Sequence, residues 1–356
     1  MRSSFVGAEM RSGNEKPAGN TLCIGKGFEA AWAYFRPSKP CVSLSTEGNI
    51  CICSKKGRNE MTTASLAPVP AASIAWMAFS LLAAVGLPIA LCIIVKRKLH
   101  AALSPVFIGA ATFIIAVNVA ESFAHSLILS TAAGAAIKGS TWLYAVYGGA
   151  MAALFEELAR LGAMRLLMKN KLTRENALMY GVGHGGIEAI MTVGLLYLSN
   201  LVTSVMINTG AIETAFAALD ADAAQTLAAQ LSALSETSPT LFAAAGVERI
   251  SAIALHICLS YLVYRAARYG ERRYLALALA AHFAVDALAV LLSKYASIAA
   301  LESIVLIAVA LLAVYAARLY RAEGAADTAD ATGTPAARSA ASASTEVGSS
   351  TDASME

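Results

Sequence analysis

Charged residues are scarce in this chain. Asp, Glu, Lys and Arg together make up only 14% of the 356 residues. Soluble domains carry about 25% charged residues, so this chain has too little polar surface to cover a fold in water. Its hydrophobic share is 57%, and these residues collect in long runs that are typical of membrane-spanning helices. The small net charge of +3 gives no indication of a nucleic-acid-binding surface.

Cysteine is also uncommon and follows no repeated spacing. Four of the six cysteines lie within the first 53 residues, and the Cys51-Ile52-Cys53 step is only a weak indication of a metal site or a disulfide. Cys92 and Cys258 lie within apolar runs, where cysteine usually serves as a small buried hydrophobe. The cysteines therefore give no basis for a disulfide framework.

Seven hydrophobic stretches are each close to the ~20 residues that a helix needs to cross ~30 Å of hydrocarbon. Basic residues follow the first, third, fifth and seventh stretches, and the positive-inside rule places these four segments in the cytoplasm. The sequence therefore predicts an all-α, polytopic transmembrane bundle in the cell membrane, with its amino terminus outside and its carboxyl terminus inside. The predicted spans are about 72–95, 104–130, 141–168, 176–203, 247–268, 274–293 and 298–319.

The two ends of the chain differ in composition from this central transmembrane domain, residues 61–321. Residues 1–60 are polar and lack helical periodicity, so we expect either a disordered extension or a true translation start at Met61. No signal-peptide pattern is present there, because the short apolar core is missing. Residues 322–356 are rich in Ala, Ser, Thr and Gly, which predicts a disordered cytoplasmic tail.

Ionisable residues inside the predicted spans form the most informative pattern in the sequence. Each costs about 2.5–3.5 kcal/mol on insertion scales, so each requires a reason. Counted from the cytoplasmic basic residues, they lie 9 to 14 residues into their spans, or about 14–21 Å at 1.5 Å per residue. Four spans therefore place carboxylates and imidazoles in one layer near the middle of the bilayer. The residues of this polar layer are Glu156, Glu157, Arg160, His184, Glu188, His256, His282 and Asp286.

The spacing within the layer indicates which side chains share a helix face. His184 and Glu188 are four residues apart, as are His282 and Asp286, so each pair lies on one face. Such a pair provides two metal ligands, or one ligand with an orienting carboxylate behind it. The glycines around His184 allow either close helix packing or access for an extended substrate backbone. They are Gly181, Gly183, Gly185 and Gly186.

Two arginines lie close to these acidic residues. Arg160 is within four residues of both Glu156 and Glu157, where it would neutralise one carboxylate and leave the other as a general base. Arg249 follows Glu248 at the start of the fifth span. That pair predicts either an interfacial ion pair or an arginine that steadies the site from above.

Structural roles are the alternative for every one of these residues. Glu121 and His125 lie nearer the outer face, and we interpret them as partners in a helix–helix hydrogen bond. Glu302 would bond a neighbouring helix in the same way. For the polar layer as a whole, the alternative is a structural network of hydrogen bonds that only holds the helices together. Three histidines and four acidic groups at one depth favour a functional site.

The arrangement resembles the YhfC family of intramembrane metalloproteases, within the wider group of type II CAAX prenyl proteases. The resemblance rests on Glu156-Glu157-x-x-Arg160, Gly183-His184-Gly185-Gly186-x-Glu188, Glu248-Arg249 with His256, and His282-x-x-x-Asp286. It extends from about the first span to the seventh. The first motif has two residues before its arginine where type II CAAX proteases usually have three. Glycine replaces the phenylalanine that usually precedes the histidine of their second motif.

The resemblance implies that paired glutamates activate a water molecule while histidines and a carboxylate or amide hold a metal or an oxyanion. On this basis a divalent metal, zinc by expectation, is held by His184, His256, His282 and Asp286, with Glu188 as a further acidic group of the site. Glu156 or Glu157 deprotonates the water, and Arg160 tunes the glutamate. The expected substrate is a membrane-embedded or lipid-anchored peptide or protein.

Two other functions fit the same residues. A cation- or proton-coupled transporter would bind its ion at this depth, although no internal repeat or pair of broken helices supports it. A non-catalytic scaffold subunit would use the polar layer only to fix helix packing, and fold membership alone does not establish activity.

Overall fold

The computed structural model describes residues 42–44, 50–52 and 66–332. Two short strands, β1 (Val42–Leu44) and β2 (Ile50–Ile52), pair antiparallel with Val42 opposite Ile52. The rest of the predicted amino-terminal extension, residues 1–60, and the tail beyond residue 332 lie outside the described residues. Within 66–332 all regular structure is helical.

Ten helices follow one another in this region. α1, α2 and α5 each contain a π-helical turn, at Leu82–Gly86, Ile114–Glu121 and Ile190–Gly194. The bounds are α1 Ala71–Lys98, α2 Ser104–Leu129, α3 Ala132–Gly139, α4 Thr141–Leu166, α5 Arg174–Asn208, α6 Glu213–Phe216, α7 Ala221–Glu236, α8 Pro239–Tyr269, α9 Arg272–Tyr295 and α10 Ile298–Thr332.

Six of these helices are long and apolar enough to cross a membrane by length and composition. They are α1, α2, α5, α8, α9 and α10, and large hydrophobic side chains such as Phe107, Ile115 and Leu311 are exposed on their outer faces. This confirms the predicted multi-pass helical membrane protein. α4 corresponds to the third predicted span and is 26 residues long, but it carries Glu156, Glu157, Arg160 and Arg165. The number of seven spans and the orientation remain predictions.

α8 lies at the centre of the bundle. It packs against α1, α4, α5, α9 and α10, and its buried residues continue from Phe242 to Ala266. Pro239 begins the helix, where its lack of an N–H leaves no helical carbonyl without a donor. Gly270 ends the helix in the left-handed conformation, with a φ of +72°. Because α8 is enclosed by other helices, it carries His256 and Arg249 into the interior, where both are at most 5% exposed.

Glycines bring α2 and α5 into close backbone contact. A Cβ placed on Gly183 would overlap the carbonyl group of Val106, and one on Gly109 would overlap the carbonyl oxygen of Tyr180. On the other side of α5, a Cβ on Gly181 would lie 2.6 Å from the Cα of Ile257 in α8. Of the two interpretations of the glycines around His184, the structure therefore supports close helix packing.

The last helix continues past the predicted boundary at residue 321. α10 is helical to Thr332, and Glu323 is buried near its carboxyl-terminal end. Three tyrosines of α8, which are Tyr261, Tyr264 and Tyr269, donate hydrogen bonds of 2.7, 2.7 and 2.9 Å to the Glu323 carboxylate. This anchored carboxylate explains why residues beyond 321 are ordered as a helix although their composition is typical of a tail.

Candidate active site

Glu156 of α4 lies at the centre of the polar layer and is 2% exposed. Its Oε2 atom lies 2.8 Å from His184 Nε2 and 3.8 Å from His256 Nδ1. Its Oε1 atom lies 3.9 Å from His282 Nε2. One carboxylate thus faces histidines from α5, α8 and α9, as the common depth of these residues predicted.

His184 is held in a fixed position next to this carboxylate. It is fully buried, and its ring packs edge-on against Phe113 with centroids 5.3 Å apart and stacks on Tyr180 at 6.0 Å. Since a carboxylate only accepts, His184 donates from Nε2 to Glu156. His184 therefore orients Glu156.

His282 is oriented by the second glutamate. Its Nδ1 atom donates to Glu157 Oε1 over 2.8 Å, and its Nε2 atom faces Glu156 and Asp286. Glu157 is fully buried, and its other oxygen lies 3.3 Å from Arg160 Nη1. Glu157 and Arg160 form an i, i+3 ion pair behind the histidine, so the predicted neutralisation of one glutamate by Arg160 falls on Glu157.

Both ring nitrogens of His256 have partners. Arg160 Nη2 lies 3.0 Å from Nδ1, and Glu188 Oε2 lies 2.6 Å from Nε2. A guanidinium has no acceptor, so Nδ1 accepts and the ring proton is on Nε2, the nitrogen that faces the Glu188 carboxylate. The arginine and the glutamate together select one tautomer of this histidine.

Arg249 holds Glu188 from the other side. Its Nη1 atom donates to Glu188 Oε1 and to Thr192 Oγ1, both over 3.0 Å, while Nη2 lies 2.9 Å from Glu248 Oε1. Arg249 is 5% exposed. It is therefore paired with Glu248 and, through Glu188, also steadies the site; an interfacial location of this pair stays a prediction.

Three groups of this layer are placed to hold one metal ion. Glu156, His256 and His282 each offer one ligand atom, and these atoms all lie within 4.8 Å of one another. Ligands of a tetrahedral zinc at ~2.0–2.2 Å stand about 3.4 Å apart, so a small closure brings the three into range. Each also has a buried orienting partner, which is typical of metal ligands. These partners are His184 for Glu156, Glu188 for His256 and Glu157 for His282.

The other two predicted ligands lie beside this group of three. His184 is engaged with Glu156, as described. The Oδ2 atom of Asp286 lies 3.6 Å from His282 Nε2, and its side chain is 25% exposed, whereas those of Glu156 and His282 are 3% exposed. Asp286 is thus the carboxylate of the layer that is open to the adjoining cavity.

A partly open cavity of about 60 Å³ adjoins the metal-capable group. It is bounded by α8, α9 and α10, with Glu156 and Glu188 at its inner end. A water molecule requires ~10–15 Å³ by this measure, so the cavity has room for a few waters beside the carboxylates. Its lining includes Ser251, which no sequence motif singled out. This residue is 1% exposed, and within the described part of the chain its hydroxyl has no hydrogen-bond partner.

Glu121 and His125 are separate from this centre. His125 Nε2 lies 3.1 Å from Glu121 Oε1, and His125 Nδ1 lies 2.7 Å from the hydroxyl of Tyr147 in α4. The contact between α2 and α4 agrees with the predicted helix–helix hydrogen bond.

Thr192 accepts a hydrogen bond from Arg249, and nothing in the sequence pattern indicated this role.

The fold and this layer define a polytopic helical membrane protein with a buried, metal-capable carboxylate–histidine centre. The chain belongs to the YhfC intramembrane metalloprotease family, whose model matches residues 82–311. It is 35% identical over 246 residues to YhfC, an uncharacterized membrane protein of Bacillus subtilis (strain 168), and this match covers 68% of the chain and 94% of the relative. No solved structure matches the chain significantly. The matched segment contains every candidate site residue.

Proposed function

We propose that this protein is an intramembrane metallopeptidase that hydrolyses a peptide bond of a membrane-associated substrate. The observation that carries the proposal is the paired arrangement of the centre, in which Glu156, His256 and His282 converge and each is oriented by a separate buried partner. A purely structural network would not need one potential ligand atom from each of three helices within 4.8 Å of one another. The family to which the chain belongs bears the same description.

Glu156, His256 and His282 are the residues that would hold a divalent cation, with zinc favoured by a mixed nitrogen and oxygen donor set. When bound, the cation supplies Lewis-acid polarisation of the peptide carbonyl. His184 and Glu157 orient Glu156 and His282 by hydrogen bonds, and Glu188 orients His256 by its close contact with Nε2.

Asp286 is the residue that we assign to proton transfer. It lines the cavity beside the centre, and in contrast to Glu157 it is not enclosed by an arginine and a histidine. A water in the cavity would give its proton to Asp286, which then returns it to the leaving amine. The family resemblance gives this role to the double glutamate, so Glu156 is the competing assignment.

Metal content and cleavage, measured on the same preparations, test the proposal. We expect wild-type protein purified in mild, chelator-free detergent to contain about one divalent metal per chain and to cleave peptides from a membrane-peptide pool. Asp286→Asn should retain the metal and lose cleavage by ~10²–10⁴-fold, the usual contribution of a general base. His282→Ala should lose both.

Three results would point elsewhere. Cleavage at the wild-type rate by both Asp286→Asn and Glu156→Gln would exclude the peptidase mechanism. Metal flux into proteoliposomes, lost in His282→Ala, would favour a transporter. Loss of assembly with a partner protein in His282→Ala, without any cleavage by the wild type, would favour a scaffold.

A further inference from the structure

The cavity extends from the candidate centre in one direction only. On α8 its lining begins at Glu248 and ends at His256, and on α9 it extends from His282 to Val290. Eight residues of helix correspond to about 12 Å. In both helices this stretch extends toward the end of the bundle where α8 begins and α9 ends, which is opposite the basic segments at residues 169–174 and 265–273.

Side-chain exposure rises along the same direction. The side chains of Glu156 and His282 are 3% exposed at the inner end, that of Glu188 is 6% exposed, and those of Asp286 and Glu248 are 25% and 27% exposed. The cavity therefore opens at the end where Glu248 lies.

The opposite end of the centre is sealed by packed side chains. The α8 residues that follow His256 toward the basic segment are buried, among them Leu259, Tyr261 and Leu262 at 0–1% exposure. Met164 of α4 and Tyr180 of α5 are fully buried in the same core cluster. A substrate approaching from the basic side would have to displace this core, whereas one approaching from the other side would enter an existing cavity.

Ser251 indicates what the cavity binds. Ser251 is one of the residues that line the cavity, it lies between Arg249 and His256 along α8, and it is 1% exposed. Among the described residues its hydroxyl has no hydrogen-bond partner. A buried hydroxyl left without a partner is unfavourable, so such a group in a cavity wall usually meets a ligand or water. A hydroxyl both donates and accepts, which suits the N–H and C=O groups of an extended peptide.

We propose that the substrate reaches the centre from the end of the bundle opposite the basic segments, through the cavity between α8, α9 and α10, and that Ser251 bonds its backbone. This inference rests on the proposed peptidase function and defines its substrate class. The scissile bond belongs to a segment in the half of the bilayer away from the basic loops, or beyond it, and not to a tail on the basic side. The cavity is only about 60 Å³, so it must widen to admit a peptide, and Leu301, Val305 and Val309 of α10 form one of its walls.

Thiol labelling tests the direction of access without any need for hydrolysis. Ser251→Cys and Val290→Cys are introduced separately into a variant in which the six native cysteines are replaced, and a membrane-impermeant methanethiosulfonate is applied to intact cells and to inverted vesicles. Exposed positions provide the side markers, with Lys171→Cys in the basic segment and Glu213→Cys at the opposite end. We expect both cavity cysteines to react only from the side on which Glu213→Cys reacts.

Reaction only from the Lys171→Cys side, or no reaction from either side, would overturn the proposed route.

The contact made by Ser251 has its own test once a cleaved peptide is known. Ser251→Ala should raise KM several-fold with kcat little changed, and a fall in kcat at unchanged KM would contradict a binding role. If the wild type cleaves nothing, the peptidase proposal fails while the labelling result still decides the access route.

Discussion

Arg160 Nη2 lies 3.0 Å from His256 Nδ1, the nitrogen that faces Glu156 and would serve as a metal ligand. The guanidinium therefore occupies the lone pair that a cation would use. Its Nη1 atom lies 3.3 Å from Glu157, so the arginine has a second partner to which it can shift. A cation at the centre and the Arg160–His256 contact exclude each other.

This competition predicts tighter metal binding when the arginine is removed. Arg165→Gln, which removes the same charge from α4 away from the centre, is the control for charge alone. Arg160→Gln keeps Glu157, the carboxylate that orients His282, and is the informative protein. We expect its affinity for Co²⁺, measured by absorption titration in detergent, to exceed that of the wild type by about tenfold, or 1.4 kcal/mol. An affinity equal to or below the wild type would show that the contact does not compete with the metal.

Arg249 should be essential for the stability of the site. It is 5% exposed and is the cation paired with both Glu188 and Glu248. Removing one partner of a buried ion pair costs about 3–5 kcal/mol, because the remaining charges stay buried. Arg249→Met should therefore lower the thermal unfolding temperature in detergent markedly, whereas Arg249→Lys should recover part of the loss.

Unfolding of the double variant Glu188→Gln/Arg249→Met provides the control for this interpretation. If the penalty comes from uncompensated charge, the double variant should be more stable than Arg249→Met. Equal stability of the two would assign the effect to lost packing.

The common depth of the ionisable residues was sufficient to predict that Glu156, His184, His256 and His282 meet. Depth follows from counting residues along a helix of known rise, and the flanking basic residues supply the reference. The helical membrane fold was predictable for a similar reason, since length and apolar composition are local properties of the chain.

The pairing within the layer was not predictable, because it depends on the rotation of each helix about its axis. The i, i+4 spacing placed His184 and Glu188 on one face of α5, yet the two side chains contact different helices. His184 contacts Glu156 of α4, and Glu188 contacts His256 of α8. Ser251 was missed because a single serine in an apolar helix carries no pattern. Its cavity exists only once α8, α9 and α10 are packed together.

Close contact between α2 and α5 should depend on Gly183. A methyl group there would overlap the carbonyl of Val106, so one of the two backbones would have to move. We expect Gly183→Ala to destabilise the protein by about 1–3 kcal/mol or more, the usual cost of overpacking. Gly148→Ala is the matched control, because a Cβ at Gly148 meets nothing within 4 Å and alanine favours the helix. Equal melting temperatures for the two variants would contradict this packing role.

The carboxyl-terminal end of α10 should be released when Glu323 is removed. In Glu323→Ala three tyrosine hydroxyls of α8 lose their acceptor, and hydrogen bonds to a charged group are each worth about 1.5–3 kcal/mol. Hydrogen exchange of residues 313–328 should become faster by at least tenfold, while exchange in α4 stays unchanged. Asp327→Ala is the control, since Asp327 is 63% exposed and lies 3.6 Å from Arg174, a surface pair worth at most ~1 kcal/mol. Equal hydrogen-exchange rates for residues 313–328 in Glu323→Ala and Asp327→Ala would show that the buried carboxylate does not hold α10 against α8.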